Sequence, residues 1–516
     1  MKPILSREEV RELDRRASAD AGIASLELME RAGRGATALL LEHFPAARAV
    51  AIVCGAGNNG GDGFVVARLL GERGFKPRVL FVGEPNRLRG DALENHRALI
   101  QAGQSVTAIG EGSLPELEPA LTDADLVVDA LFGTGLDREL TGLPRAAIEQ
   151  VNRARAPKLA LDLPSGIDAD TGLPHGVAVR ARVTATFAAK KRGLHTPLGA
   201  AHAGEVHVVS LGIPLELVDA VGYGAAELEV ADVAAAIPRR DATWHKGASG
   251  RVLILAGSQG KVGAGLLAAE GALRTGAGLV TLGAEPVTAA VYEGRVLEAM
   301  TARLDPDDPE GSLAPLLERA DAVALGPGFG LDAFSRRIVE HVALGWAGPV
   351  VLDADALTCF AGRAEVLASA RGPRVLTPHA GEMGRILGTN ATLVEADRFA
   401  AVVRAAALTR QTVLLKGAST LVAVAGRPVA VNPTGHAVLA TGGTGDVLAG
   451  VIAALLVRAD PYRAACAGAF LHGRAAADLA RERGVDRGVL AHEVAAAVPS
   501  AIARTLAEAT RQEQHR

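Results

Sequence analysis

The stretch Thr441-Gly-Gly-Thr-Gly-Asp446 runs directly into Val447-Leu-Ala-Gly-Val-Ile-Ala-Ala-Leu-Leu456 and predicts a tight loop that opens a buried helix. The amino end of such a helix presents unpaired N–H groups and the positive end of the helix dipole, which together suit a phosphate. Asp446 is unexpected there, because a carboxylate either caps the helix or acts as a base on a hydroxyl beside the phosphate. The loop by itself leaves both interpretations open.

The composition describes an α/β protein of more than one domain. The chain has 516 residues, which exceeds one typical core, and 49% of them are hydrophobic. A net charge of −4 gives no electrostatic bias toward nucleic acid or an anionic membrane, and only 3% aromatic residues argue against a stacking platform for single strands. The three cysteines form no CxxC pair, which indicates a reducing compartment and no zinc site.

The amino terminus lacks an apolar signal-peptide core, and no long apolar run of transmembrane length follows. We therefore expect a cytoplasmic protein with no membrane partner and no nucleic-acid partner. We also expect a homo-oligomer, although nothing in the residue pattern fixes the oligomeric state.

The first half alternates helical and strand patterns. Ser6-Arg-Glu-Glu9 is a capping-box pattern, and a second helix is predicted over 26–44. A buried parallel strand over 49–54 leads into Gly55-Ala-Gly-Asn-Asn-Gly-Gly-Asp-Gly63, read as a turn, and a helix is predicted over 64–72. Further strands are predicted over 78–82, 126–131, 158–161, 183–187 and 206–211. This alternation indicates a doubly wound, Rossmann-like sheet.

Polar side chains follow several of these strands. Asp129 precedes Gly133-Thr-Gly135, Asp162 precedes Pro164-Ser-Gly166, and the 55–63 turn carries further amides and a carboxylate. A single strand-end Asp is more often a turn former, but three at one edge of a sheet favour a site. Asn59, Asp129 and Ser165 supply hard oxygen atoms, which suit an alkali or alkaline-earth cation.

The segments GNNGGDG, VDALFGTGL and DLPSGIDADTG resemble, in order over residues 1–215, the epimerase domain of the bifunctional NAD(P)H-hydrate repair enzymes. The resemblance implies interconversion of the R and S epimers of hydrated NADH or NADPH, with Asp162 at the reacting ring. It implies potassium bound by Asn59, Asp129 and Ser165. The implied substrate-binding residues are Asn58, Asn59, Gly60, Gly61, Asp62, Gly133, Thr134, Gly135, Leu136, Asp137, Arg138, Glu139 and Asp162.

The alternation of strand and helix patterns stops between 211 and 250, so we expect a domain boundary near 218–228. We therefore divide the chain into domains 1–220 and 221–516. The alternating pattern then resumes with a strand over 251–256, a flexible turn over 257–265 and a helix over 266–274. Later strands end in Gly326-Pro-Gly-Phe-Gly330 and in Asp353-Ala-Asp355, whose carboxylates either assist a magnesium–phosphate site or form turns.

Two further strand ends carry candidate ligand groups. His379 follows Thr-Pro at a predicted sharp turn; a lone histidine is usually structural, but this position exposes it to a ligand. Lys416 ends the strand 412–416 and begins Lys416-Gly-Ala-Ser-Thr420, which can cradle a diphosphate, whereas a solvated strand end is the simpler interpretation of the lysine.

The segments HKGASGRVLILAGS, TGAGLVT, GPGFG, VLDADAL, TPHAGE, LLKGAST and NPTGHAVLATGGTGDVLAG resemble the ADP-dependent dehydratase domain of the same family, from about residue 230 onward. The resemblance implies a ribokinase-like fold and use of Mg²⁺ with ADP. The implied hydrate-site residues are Ala264, Gly328, His379 and Asp446, with Asp446 catalytic. The implied nucleotide-binding residues are Lys416, Gly417, Ala418, Ser419, Thr420 and Gly445.

Two positions depart from the family pattern, and we expect both to lie beside candidate contacts. Ala380 stands where the TPHPGE form has proline, and Ala248-Ser249 stand where an Asp-Tyr pair is frequent.

Two other functions remain open at this point. A ribokinase-like small-molecule kinase fused to a nucleotide-binding module would leave a stable phosphorylated product. A non-enzymatic first half would bind nucleotide without exchanging epimers.

Overall fold

The computed structural model describes residues 1–240 and 242–514, and the chain separates into two compact units. The first unit is Pro3–Ala225, and the second is Met1–Lys2 with Ala226–Arg516. Each unit has its own α/β core, as the composition predicts. Within the described residues no helix is long and apolar enough to cross a lipid bilayer.

The first unit contains a parallel sheet flanked by helices. Its strands are β1 (Lys2–Leu5), β2 (Val50–Cys54), β3 (Arg78–Val82), β4 (Val106–Ile109), β5 (Leu126–Ala130), β6 (Lys158–Leu161), β7 (Val183–Phe187), β8 (Lys190–Lys191) and β9 (Glu205–Val209). Its helices are α1 (Arg7–Ala19), α2 (Ser25–His43), α3 (Asn58–Glu72), α4 (Gly90–Gln101), α5 (Leu117–Thr122), α6 (Gly142–Arg153), α7 (Pro197–Ala203) and α8 (Leu215–Val221).

The main sheet of this unit has the order β4-β3-β2-β5-β6-β7-β9, and all its pairs are parallel. The chain therefore winds outward from β2 in one direction and then from β5 in the other. This reversal is the doubly wound, Rossmann-like topology, and it opens a crevice between the carboxyl ends of β2 and β5.

The second unit repeats this arrangement with an antiparallel extension. Its strands are β10 (Ala225–Glu227), β11 (Arg251–Leu255), β12 (Leu279–Ala284), β13 (Met300–Arg303), β14 (Ala322–Leu325), β15 (Val350–Leu352), β16 (Arg374–Leu376), β17 (Thr412–Leu415), β18 (Leu421–Ala423) and β19 (Val429–Val431). Its helices are α9 (Val230–Ala234), α10 (Val262–Thr275), α11 (Pro286–Glu293), α12 (Pro309–Leu317), α13 (Ala333–Glu340), α14 (Asp355–Cys359), α15 (Ala380–Leu387), α16 (Ala391–Ala396), α17 (Arg398–Thr409), α18 (Thr444–Leu456), α19 (Pro461–Arg483) and α20 (Ala491–Gln514).

The strand order β13-β12-β11-β14-β15-β16-β17-β18-β19 places a second reversal point between β11 and β14. The strands from β13 to β17 pair in parallel, while β17, β18 and β19 pair antiparallel. Helices α10, α18 and α19 supply many of the buried small side chains of the core, which is why Ala and Val dominate it.

The predicted elements are mostly confirmed, but two glycine-rich turns are shorter than expected. The capping box of α1 is present, with Glu9 N–H donating to Ser6 Oγ at 3.2 Å. Helix α3 begins at Asn58 and helix α10 at Val262, so much of each predicted turn is helical. Glycine lowers helix propensity, but close packing selects it here: a Cβ on Gly60 would lie 1.9 Å from the carbonyl oxygen of Gly55.

All three cysteines are free and buried. Burial raises the pKa of the Cys54 and Cys466 thiols, so they stay protonated and contribute packing.

Candidate active sites

A cavity of about 1360 Å³ opens at the reversal point of the first unit. Its wall includes Asn58, Asn59 and Asp62 from α3, the whole segment 133–139, and Asp162 after β6. A Cβ on Gly133 would lie 2.8 Å from Asp162 Oδ2 and 3.5 Å from Asn59 Cγ. The fold thus brings three separate sequence segments together at one point.

Gly60 and Gly61 do not line this cavity. Gly60 packs against the backbone of Gly55, and a Cβ on Gly61 would lie 2.6 Å from the sulfur of Met29. The structure gives both glycines a packing role, since each lets α3 approach a neighbouring segment.

Asp162 is held at the cavity by a buried lysine that no local sequence pattern marks. Lys191 Nζ lies 2.5 Å from Asp162 Oδ1 and also donates to Thr186 Oγ1 at 3.0 Å and to the Phe187 carbonyl at 2.8 Å. The backbone N–H of Thr134 donates to Asp162 Oδ2 at 3.1 Å. Asp162 also has φ +63°, a left-handed conformation that a non-glycine residue adopts only when its surroundings hold it.

A group of carboxylates surrounds this ion pair. Burial, and then the charges of Asp162 and Asp14, raise the pKa of Asp62 well above its usual value. Burial also raises the pKa of Asp14 to about 6, although this side chain faces the open cavity. Carboxylic acids that hold a proton near neutral pH are suited to proton transfer.

Asn59, Asp129 and Ser165 are buried; Asn59 belongs to the cavity wall, while Asp129 and Ser165 do not line the cavity. Ser165 donates through its backbone N–H to Asp129 Oδ2 at 2.8 Å and through its hydroxyl to Asp129 Oδ1 at 2.5 Å. Burial raises the pKa of Asp129 to about 6. The amide oxygen and nitrogen of Asn59 are both buried without a hydrogen-bond partner, which is costly unless a further group binds there.

The second unit has its own charged centre at the carboxyl ends of β15 and β17. Lys416 Nζ lies 2.7 Å from Asp353 Oδ1 and 3.7 Å from Glu382 Oε2. The Lys416 side chain is only 20% exposed, so this lysine is not a solvated strand end. The two carboxylates raise the pKa of Lys416 against the effect of burial, so the lysine stays charged.

Asp446 lies in the first turn of α18, where the charges of Asp353 and Lys416 both affect its pKa. The capping interpretation is wrong, because α18 begins after Gly443 in a left-handed conformation with no side-chain cap. Burial, and then the charge of Asp353, raise the pKa of Asp446 to about 6, while Lys416 opposes the rise. The Asp446 carboxylate therefore forms no side-chain cap for α18 and lies among charged groups of two other strand ends.

A buried arginine, Arg398, holds the start of the Lys416–Thr420 loop in place through hydrogen bonds. The fully buried guanidinium of Arg398 donates through Nη2 to the Lys416 carbonyl at 3.2 Å, and through Nη1 to Glu395 Oε1 at 2.8 Å. A Cβ on Gly445 would lie 3.6 Å from Lys416 Nζ. The strand-end lysine and the amino end of α18 therefore face the same space.

The reversal point of this unit gathers two other predicted residues. A Cβ on Gly328 would lie 3.0 Å from Ala264 Cβ, and Ser258 Oγ donates to the Gly328 carbonyl at 2.8 Å. His379 has a structural role: its Nδ1 accepts from the backbone N–H groups of Gly381 and Glu382, capping α15. Its ring remains 56% exposed.

The departures at 380 and 248–249 have different positions in the fold. Ala380 is the first residue of α15, directly beside His379. Residues 248–249 precede the amino end of β11, whereas the site follows the carboxyl ends of the strands. The expectation that they lie beside a candidate contact is therefore wrong for this pair.

A buried histidine also escaped prediction. His472, on α19, has its pKa lowered to about 4, chiefly by burial, although its ring donates a hydrogen bond to the backbone of Thr444, which opposes the fall. It therefore remains neutral beneath the first turn of α18. An isolated histidine within a long helical pattern carries no signal of this contact.

Two protein families and several relatives of nearly the same length match this chain. The NAD(P)H-hydrate dehydratase family matches residues 252–500, and the YjeF-related protein N-terminus family matches residues 25–193. A bifunctional NAD(P)H-hydrate repair enzyme of Moorella thermoacetica is 42% identical over 92% of each chain. One of Coxiella burnetii is 39% identical over 96% of this chain and 98% of its own.

A solved structure, the ADP/ATP-dependent NAD(P)H-hydrate dehydratase of Bacillus subtilis co-crystallised with ATP and Mg²⁺, is 33% identical. It covers 54% of this chain and 97% of its own, with a TM-score of 0.48.

Proposed function

Because the chain belongs to the family of bifunctional NAD(P)H-hydrate repair enzymes, we propose that it repairs hydrated NADH and NADPH through one site in each unit. The first site interconverts the R and S epimers. The second dehydrates the S epimer at the expense of ADP. The observation that carries the proposal is Asp446, a carboxylate that caps nothing and lies beside Lys416 at the amino end of α18.

In the first unit, Asp162 moves a proton at the reacting ring. As the ring carbon–oxygen bond breaks and re-forms, a carboxyl group at the cavity wall can give a proton to the leaving oxygen and take one from the returning water. Lys191 and the Thr134 N–H hold Asp162 in one orientation for this transfer. Segment 133–139 and the amides of α3 enclose the rest of the nucleotide.

We assign potassium to the pocket of Asn59, Asp129 and Ser165. The residues fit the ion, because a buried amide oxygen without a partner and a buried carboxylate are hard donors that a weakly hydrated cation can satisfy. When bound, the ion would supply positive charge beneath the cavity. It would thereby favour the ionised form of Asp129.

In the second unit, Asp446 takes the proton of the ring hydroxyl as the terminal phosphoryl group of ADP arrives in line. The Gly442–Gly445 backbone at the start of α18 and the Lys416 ammonium stabilise the charge that spreads over the phosphoryl oxygens. Loss of phosphate from the ring carbon that carried the hydroxyl, together with loss of a proton from the neighbouring ring carbon, then restores the ring double bond and yields NADH or NADPH, AMP and phosphate. Phosphorylation is needed because hydroxide leaves a saturated ring poorly.

Mg²⁺ fits this site as a partner of the nucleotide. Asp353 and Glu382 already flank Lys416, which leaves the ion to phosphate oxygens and water, its usual ligands in phosphoryl-transfer sites. When bound, it would neutralise phosphate charge.

The test supplies mixed R and S hydrate with ADP and Mg²⁺ and follows recovery of the reduced-nicotinamide absorbance. We expect full recovery in the parent, about half in Asp162→Asn, and a loss of about 10²–10⁴-fold in rate in Asp446→Ala with epimerisation intact. Asp91→Asn, which removes another carboxylate from the same cavity wall, is the matched control for Asp162 and should recover fully. A stable phosphorylated product, or full recovery in Asp162→Asn while spontaneous epimerisation is slow, would contradict the proposal.

A further inference from the structure

A small cluster of metal-ligand side chains lies on the first unit, apart from the cavity. His43, Glu205 and His207 each offer one ligand atom, and these atoms all lie within 4.8 Å of one another. Of the described residues, 1–240 and 242–514, this trio is the sole His, Cys, Asp and Glu group that meets this distance. None of its members lines the 1360 Å³ cavity.

The three side chains come from two elements whose positions are fixed. His43 is the last residue of α2, and Glu205 and His207 lie two residues apart on β9, which puts both on one face of the strand. A Cβ on Gly35 would lie 2.2 Å from Val209 Cγ1, so α2 packs on β9 with no spare space. His207 is also in parallel register with Ala185 of β7.

Contacts within the trio leave ligand atoms unused. His207 Nε2 lies 3.0 Å from Glu205 Oε1, yet it is shielded from solvent and forms no well-aligned hydrogen bond. The rings of His43 and His207 have their centroids 4.4 Å apart at an interplanar angle of 57°, so the imidazoles face each other without stacking flat. A shielded ring nitrogen with no proton acceptor or donor in line is costly unless another group binds it.

We propose that His43, Glu205 and His207 bind a divalent cation of the Zn²⁺ class, with water completing a tetrahedral site. Imidazole nitrogen and carboxylate oxygen are the ligands that such ions prefer, at about 2.0–2.2 Å. Tetrahedral ligands at these distances lie about 3.4 Å apart. The ligand atoms, which already lie within 4.8 Å of one another, would have to approach by up to about 1.4 Å. The absence of CxxC pairs does not bear on this site, since it uses no cysteine.

The position of the trio indicates a structural role for the ion. In the described part of the first unit, β9 is an edge strand of the seven-stranded sheet, and edge strands have unpaired backbone groups that invite pairing with other chains. A metal would tie this edge to the carboxyl end of α2, where the helix dipole also favours positive charge. We expect the ion to stabilise the first unit without taking part in either reaction.

The experiment uses the full chain without an affinity tag, freed of metal by chelation. Titration calorimetry with ZnCl₂ measures stoichiometry and affinity in the parent and in His43→Gln, Glu205→Gln and Glu42→Gln. Glu42→Gln is the matched control, because it removes an exposed carboxylate next to His43 that is outside the trio. Thermal unfolding with and without Zn²⁺, and the visible spectrum of the Co²⁺ form, are measured on the same samples.

We expect one tight Zn²⁺ site in the parent and in Glu42→Gln, with affinity at least tenfold weaker in His43→Gln and Glu205→Gln. Zn²⁺ should raise Tm only where the tight site is present, and Co²⁺ should give the intense visible bands of a tetrahedral complex. Activity of all variants should match the parent, which separates this proposal from the repair function. Absence of a tight site in the parent, equal affinity in all four proteins, or a Co²⁺ spectrum of octahedral type would overturn it.

Discussion

At the residue scale, both candidate centres depend on a buried lysine that orients carboxylates. Lys191 is fully buried against Asp162, and Lys416 is mostly buried between Asp353 and Glu382. A buried ion pair adds little net stability, since desolvation offsets attraction, but loss of one partner leaves an uncompensated charge. We infer that these pairs are retained for the geometry and charge they give the sites.

The pH dependence of dehydration follows from Asp446. Its pKa is raised to about 6, chiefly by burial, and the base must be ionised to accept a proton. At saturating substrate the rate should therefore be constant above pH 7 and fall about tenfold per unit below pH 6. Asp353→Asn should move this limb to lower pH, because it removes a like charge from Asp446. The pH–rate profiles of the parent and of Asp353→Asn are measured from pH 4.5 to 8 by discontinuous absorbance assays. An acidic limb at the same pH in both proteins would contradict the assignment of Asp446.

The potassium assignment predicts an ion-specific stabilisation. In KCl the parent should have a Tm a few degrees above that in choline chloride of the same ionic strength, since the ion binds the folded pocket only. Asp129→Asn should lose the difference, because it removes the charged ligand. Scanning calorimetry of both proteins in both salts measures it, and an equal KCl effect in the two proteins would count against the site.

At the scale of elements, glycine sets how closely α3 can approach the crevice. Both reversal points are lined by a helix that begins soon after a strand, α3 after β2 and α10 after β11. The glycine-rich sequences permit this because their backbones touch neighbouring backbones or side chains with no room for a Cβ. The glycines of these segments therefore allow close packing as well as contact with a ligand.

Gly60→Ala tests this packing. Its Cβ would lie 1.9 Å from the Gly55 carbonyl oxygen, so α3 must shift, and we expect a loss of about 3 kcal/mol or more in the free energy of unfolding of the first unit. Gly57→Ala, one turn earlier, has no atom within 4 Å of its Cβ and should change stability by less than about 1 kcal/mol. Urea unfolding monitored by circular dichroism compares them, and similar losses in the two variants would refute the packing account.

At the scale of the whole molecule, the residues proposed for each site all come from one unit. Asn59, Asp129 and Asp162 all belong to the first unit, and Asp353, Lys416 and Asp446 all belong to the second. Both sites form at the carboxyl ends of a doubly wound sheet, the position that this topology provides for nucleotides.

Two damaged chains should therefore complement each other. A mixture of Asp162→Asn and Asp446→Ala should recover the full reduced-nicotinamide absorbance from mixed epimers, because the epimer released by one chain can diffuse to the other. Asp446→Ala alone should recover almost none, and Asp162→Asn alone about half. Failure of the mixture, with each variant active in its own remaining reaction, would show that the two steps must occur on one chain.

The sequence by itself determined the fold class and most strand positions, because alternating apolar strands and helical periodicity are local properties. It also determined the site segments, since polar residues placed just after buried strands must gather at one sheet edge. Two local predictions were wrong: much of the predicted turn over 55–63 is helical, and Asp446 does not cap α18. The residue at which a helix begins among glycines depends on tertiary packing, which intrinsic helix propensity does not include.

Only the tertiary structure decided which side chains meet. Lys191 lies 29 residues beyond Asp162, and Asp353 lies 63 residues before Lys416, and neither pairing has a local pattern. The raised pKa of Asp446 depends on burial and on a neighbour from another strand, which no window of sequence contains. His43, Glu205 and His207 likewise become a cluster only where the end of α2 packs on an edge strand. The chain's local order fixed its elements, while long-range packing fixed the charges and distances that chemistry requires.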